Sequence, residues 1–281
     1  MRSFRYVIVD VFTDTALAGN QLAVFTNATG MTADQMQSLA REINFSESTF
    51  VLPAEQGGDF RVRIFTPARE VPFAGHPTLG TAFAMAGPLQ SMLLRIETGQ
   101  GIVPVLLERE GAKLVFGRME QPLPTHEPWG DDDALFSALG VDSSRLPVEV
   151  YDNGVRHVFV MLPAFADVAA VRPDQQALVR AAGDAGVNVF AVADGRVKTR
   201  MFMLDAGVAE DPATGSAAGP LAVHLARWGA IHWGEEITIS QGAEIGRPST
   251  LYARAQGDGD AVTKVEVGGC AVVVGRGEFR V

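Results

Sequence analysis

The sequence predicts an α+β fold of two similarly built lobes with an active-site cleft between them. Short strand-like runs alternate with helical patterns along the whole chain. Three features of the first half then recur, in order, in the second. Gly19-Asn20-Gln21-Leu22-Ala23-Val24-Phe25 is echoed by Gly154-Val155-Arg156-His157-Val158-Phe159-Val160, and Arg63-Ile64-Phe65 by Arg200-Met201-Phe202. Gly75-His76-Pro77-Thr78-Leu79-Gly80 is echoed by Gly215-Ser216-Ala217-Ala218-Gly219-Pro220. The offsets stay between 135 and 140 positions. Short echoes arise by chance, but a near-constant offset in the same order does not. A length of 281 residues fits two units of roughly 150 each.

In the first half, residues 6–12 and 21–26 read as strands joined by the turn Leu17-Ala18-Gly19-Asn20. Residues 32–44 read as an amphipathic helix, opened by a Thr32/Gln35 capping box, with Met36, Leu39, Ala40 and Ile43 on one face. Residues 50–52 and 61–66 are again strand-like, the second alternating Arg61 and Arg63 with Val62 and Ile64. Residues 97–121 form a meander punctuated by Gly99, Gly101, Gly111 and Gly117. Pro122, Pro124 and Pro128 then break all periodicity, which marks 122–130 as a connector. The expected division is a first lobe over 1–121 and a second over 131–281, with the terminal strand free to pair with the first lobe.

Composition narrows the function. Lys and Arg number 23 against 33 Asp and Glu, for a net charge of -10. That balance argues against nucleic-acid binding, which needs a basic face, and against docking on an anionic membrane. Cys270 is the only cysteine, so no intrachain disulfide, CxxC site or two-thiol chemistry is available. No signal peptide or membrane-length apolar run is evident, and a cytoplasmic protein is expected. No two histidines have metal-ligand spacing, and no nucleotide-phosphate loop or GxSxG elbow occurs.

What remains is a pair of glycine-rich helix entries. Pro77 suits a first helical turn, and Gly75 permits close approach to the backbone. Thr214 or Ser216 can cap the helix that runs on to Trp228. First-turn N–H groups lack intrahelical acceptors, so two entries at matching places can converge on one small carboxylate. Glu47 falls in the short connection after the first helix, flanked by Phe45 and Phe50, where partial burial would raise its pKa into a useful range. Taken singly, Glu47 reads more readily as a solvated loop acid, and Asp211 equally as a capping carboxylate. His157, in an apolar strand, reads as a core imidazole, and His224 and His232 as structural or solvated.

Together these residues resemble the PhzF family of phenazine-biosynthesis isomerases, of diaminopimelate-epimerase-like fold. The matching segments are Val9-Asp10-Val11-Phe12 with Gly19-Asn20, then Ser46-Glu47-Ser48-Thr49-Phe50-Val51, Phe65-Thr66-Pro67, and Phe73-Ala74-Gly75-His76-Pro77. Glu210-Asp211-Pro212-Ala213-Thr214-Gly215-Ser216-Ala217 and Gln241-Gly242-Ala243-Glu244-Ile245-Gly246-Arg247-Pro248-Ser249 match in the second half. The resemblance implies two pseudo-symmetric lobes, each a mixed, mostly antiparallel sheet wrapped around a central helix. It implies isomerisation of trans-2,3-dihydro-3-hydroxyanthranilate, with Glu47 as the proton shuttle and His76 and Asp211 supporting it. Ser46, Gly75, Gly215 and Ser216 would line the site and bind the carboxylate end. It further implies a homodimer and neither metal nor organic cofactor. Two alternatives stay open: a related isomerase or epimerase of another small amino or hydroxy acid, and a non-catalytic anion-binding protein.

Overall fold

The computed structural model describes residues 2–89, 92–203 and 208–281. The first half runs β1 (Ser3–Val11), β2 (Asn20–Phe25), α1 (Ala33–Ile43), β3 (Glu47–Leu52), β4 (Phe60–Phe65), β5 (Glu70–Val71), α2 (Gly75–Leu89), β6 (Leu93–Thr98), β7 (Gly101–Glu110) and β8 (Lys113–Glu120). There follow β9 (Thr125–Pro128), α3 (Asp132–Leu139), β10 (Glu149–Asp152), β11 (Arg156–Met161), α4 (Phe165–Ala170), α5 (Gln175–Ala182), β12 (Gly186–Ala193) and β13 (Arg196–Met203). The chain closes with β14 (Val208–Asp211), α6 (Gly215–Arg227), β15 (Glu236–Gln241), β16 (Ser249–Asp258), β17 (Ala261–Gly269) and β18 (Ala271–Arg280).

The echo in the sequence is an echo in strand pairing. In the first lobe β1 pairs antiparallel with β2, β2 parallel with β3, β3 antiparallel with β4 and β4 parallel with β6, before the antiparallel run β6–β7–β8. In the second lobe β10, β11, β12, β13, β15, β16 and β17 repeat those senses in the same order. The short strands β5 and β14 sit on β4 and β13, just ahead of α2 and α6. Both lobes are thus mixed, mostly antiparallel sheets curved around one long helix.

These central helices are largely apolar, as a helix enclosed by a sheet must be, and their buried polar side chains Thr78, Thr81 and His224 are hydrogen-bonded. Leu79, Ala82 and Ala86 of α2 and Leu221, Ala222 and Leu225 of α6 are buried in one continuous core that spans both lobes. A satellite cluster lies under α1. Its capping box forms in both directions, with Thr32 N–H donating to Gln35 Oε1 and Gln35 N–H to Thr32 Oγ1. Asn44 ends the helix in the left-handed conformation at φ 57°. Met36 and Leu39 pack there with Phe25, Phe50 and Phe65, each fully buried apolar side chain contributing about 1.5–3 kcal/mol.

Several strand boundaries shift by one to three residues from the sequence expectation, and two differences bear on the architecture. β3 starts at Glu47, three residues early, because Ser48 and Thr49 are buried although polar. Thr49 bonds the hydroxyl of Thr81 on α2 at 2.9 Å, which removes the cost of its burial. The 122–130 segment is more than a connector, since β9 lies within it and pairs with β10 of the second lobe. In return β18 crosses back to pair with β1, and β8 pairs with β17. Among the described residues no helix is long and apolar enough to cross a membrane.

Candidate active site

The two central helices start against one another. A methyl group on Gly75 would lie 2.5 Å from the Gly215 carbonyl carbon and 2.6 Å from the Ser216 nitrogen, so only glycine permits this contact. Both first turns therefore present their unpaired N–H groups, and the positive ends of their dipoles, to the same place. A cavity of about 290 Å³ opens there, lined by Gly75, His76, Gly215 and Ser216 together with Glu47 and Asp211. Phe73, Met201 and Met203 supply apolar wall, and the half-exposed Arg156 and Asp184 stand among its lining. This is room for one small ring bearing a carboxylate.

Asn20, the first residue of β2, holds the polar groups in place. Its Nδ2 donates to Asp211 Oδ1 at 2.8 Å and to the Ala213 carbonyl at 3.0 Å, and lies 3.2 Å from His76 Nδ1. Thr214 donates from Oγ1 to Asp211 Oδ2 at 2.6 Å, and Gln241 Nε2 donates to Thr214 Oγ1 and to the Asp211 carbonyl. Thr214 occupies the N-cap position of α6 but makes no side-chain cap. Its hydroxyl is committed to Asp211 instead.

Glu47 Oε2 lies 3.5 Å from His76 Nε2, and neither atom has a hydrogen-bond partner among the described residues. The Glu47 side chain is 18% exposed while His76 is sealed in. Burial pushes the Glu47 carboxyl up to about 8, the Asp211 charge nearby pushes the same way, and a hydrogen bond from Ser46 opposes them. Burial also raises Asp211, to about 6, against the bonds from Thr214 and Asn20 that favour its charged form. His76 is driven down to about 3 by burial and is a neutral imidazole at physiological pH.

The structure brings six of the seven expected site residues to the cavity wall. Ser46 is the exception. Its hydroxyl donates to Asn20 Oδ1 at 3.0 Å, outside the lining, so it braces the bracing residue. Asn20 and Gln241 were not expected at the site. Asn20 looks like an ordinary turn residue beside Gly19, and its partner Asp211 is 191 positions away.

A two-lobed sheet-around-helix architecture with helix tips facing a shared cleft places the chain in the diaminopimelate-epimerase-like fold class. A protein of Agrobacterium radiobacter K84 described as a "probable proline racemase" shares this fold, with a TM-score of 0.72 over 99% of this chain and 93% of that one at 14% identity. Within that class the chain belongs to the PhzC-PhzF family: residues 9–277 match its model, described as phenazine biosynthesis-like protein. A PhzF-family phenazine biosynthesis protein of Bacillus anthracis superposes with a TM-score of 0.87 at 25% identity, each chain covered completely. The trans-2,3-dihydro-3-hydroxyanthranilate isomerase of Pseudomonas chlororaphis is 50% identical over 97% of this chain and 98% of that protein.

Proposed function

We propose that this chain isomerises trans-2,3-dihydro-3-hydroxyanthranilate, with Glu47 carrying a proton from ring carbon C3 to C1. The similarity to isomerases of that name supports the reaction. The observation that carries the mechanism is the unpartnered Glu47 Oε2 beside His76 Nε2, in the cavity where two helices begin.

The substrate carboxylate sits at the paired helix tips, where N–H groups of Gly75, His76, Gly215 and Ser216 can receive it. Ionised Glu47 takes the C3 proton, and the electron pair moves through the conjugated ring to C1. The carboxyl that results returns a proton at C1, leaving an enol at C3 that becomes the ketone. Nothing is oxidised or reduced, and atoms balance. A carboxyl raised toward 8 is suited to both steps, because neither protonation state is far from neutral pH. Neutral His76 and Asp211 hold the amino and hydroxyl groups of the substrate, and the apolar wall keeps water from the charge that develops. The resemblance to this family supports a cytoplasmic homodimer acting on a small carboxylate, which sedimentation of the purified protein tests.

Glu47→Gln keeps size and polarity but cannot carry the proton. Loss of substrate absorbance should slow by roughly 10²–10⁴-fold while anthranilate, an unreactive carboxylate of similar size, still binds. Turnover at the wild-type rate would remove Glu47 from the mechanism.

A further inference from the structure

The repeat places a second polar pair opposite the first. β2 and β3 run in register with Leu22 opposite Glu47, and β11 and β12 with His157 opposite Gly186. Gly186 therefore stands where the first lobe has Glu47, and Ser216 stands where it has His76. A Cβ on Gly186 would come 3.0 Å from His157 Nδ1, so the imidazole takes up the room that an acid occupies in the other lobe. From there His157 Nε2 reaches Ser216 Oγ at 3.0 Å, just as Glu47 approaches His76 at 3.5 Å.

His157 has no exposed surface, and its Nδ1 has no hydrogen-bond partner among the described residues. Burial drives its pKa down to about 3, so the ring is neutral and carries one proton. An orphaned buried N–H is rarer than an under-used acceptor, which puts the proton on Nε2 and the bare lone pair on Nδ1. Nε2–H then donates to Ser216 Oγ. Asn153 Nδ2 meanwhile fixes the Ser216 carbonyl at 2.9 Å. With its oxygen engaged as acceptor, Ser216 keeps its own hydrogen for the cavity that it lines.

We infer that His157 is a positioning residue, which turns the Ser216 hydroxyl into a donor aimed at the substrate carboxylate beside the helix tips. The role rests on the proposed carboxylate-binding reading of the cavity. It also explains why Ser216, with a histidine at hydrogen-bond distance, is no activated nucleophile: the imidazole gives a proton to the serine and does not take one.

Two measurements test this. In the folded wild-type protein labelled with ¹⁵N-histidine, His157 should show a protonated Nε2 and a bare Nδ1; the opposite tautomer overturns the proposal. In binding assays, His157→Leu should weaken anthranilate about ten-fold, the value of one hydrogen bond to a charged group, and leave aniline, which lacks the carboxylate, unchanged. His157→Gln, which restores a donor, should recover most of the loss. In a Ser216→Ala background His157→Leu should cost nothing further. Equal weakening of both ligands, or a full ten-fold loss without Ser216, would reduce His157 to a core residue. If the wild type bound no anthranilate, the substrate reading would fail, while the tautomer would still judge His157.

Discussion

Glu47 Oε2 and His76 Nε2 face each other at 3.5 Å across a cleft floor, each without a hydrogen-bond partner among the described residues, one from the first residue of β3 and the other from the first turn of α2. A protein normally satisfies buried polar atoms, so a pair left open in a cavity marks the place where a ligand completes the bonding. Four consequences can be measured.

Glu47 must be ionised to accept a proton, and its carboxyl is raised to about 8. The acid limb of kcat/KM should therefore rise with pH through that region, well above an ordinary glutamate. Asp211→Asn deletes the neighbouring negative charge, one of the causes of the rise, and should move the limb to lower pH. A pH–rate profile checks both. A limb at about 4.5, the ordinary value, would contradict the environment described.

The same shift links stability to pH. Between about 4.5 and about 8 the unfolded chain has released the Glu47 proton and the folded one retains it. The folded state then binds more protons, so this group's stabilisation is present at acid pH and is lost as pH rises through its folded value. Glu47→Gln has no such proton. Its stability relative to wild type should increase from about pH 5 to about pH 9 by on the order of 2 kcal/mol, read from urea unfolding.

Gly75→Ala would drive a methyl group into backbone atoms of Gly215 and Ser216, neither of which can swing aside. The helix tips should separate, costing about 1–3 kcal/mol in stability and weakening anthranilate binding. Wild-type affinity in a folded Gly75→Ala variant would show that the juxtaposed tips do not hold the carboxylate.

Asn20→Ala removes a donor to the Asp211 carboxylate and orphans the Ser46 hydroxyl. Losing a bond that favours the charged form should raise Asp211 further. Turnover should fall by up to about 100-fold through misplacement of groups that Asn20 never carries to the substrate itself. Full activity would make Asn20 a bystander.

Local and periodic signals were plain in the sequence. The Thr32/Gln35 box and the Met36, Leu39 face specify α1 without help from the rest of the chain, and the ordered echo anticipates the repeated strand order. The sequence reads as a loop at Glu47 because Glu47-Ser48-Thr49 carries no apolar alternation. Its strand exists through pairing with β2 and β4, which sequence periodicity does not record. Asn20, Gln241 and the His157–Ser216 pair escaped for a related reason. Each acts through a partner 27 to 191 positions away, brought near by the folding of the second lobe for Gln241 and His157 and by the packing of the two lobes for Asn20. Ser46 differs in the other direction: adjacent to Glu47 in the chain, it stays outside the cavity lining and donates its hydroxyl to Asn20.

The most direct test follows the proton. Turnover in heavy water, quenched early and resolved position by position on the ring, should show wild-type enzyme delivering deuterium to C1, or carrying it there from C3-labelled substrate. The folded Glu47→Gln variant should do neither. Label reaching C1 at the wild-type rate in that variant would mean that another group moves the proton.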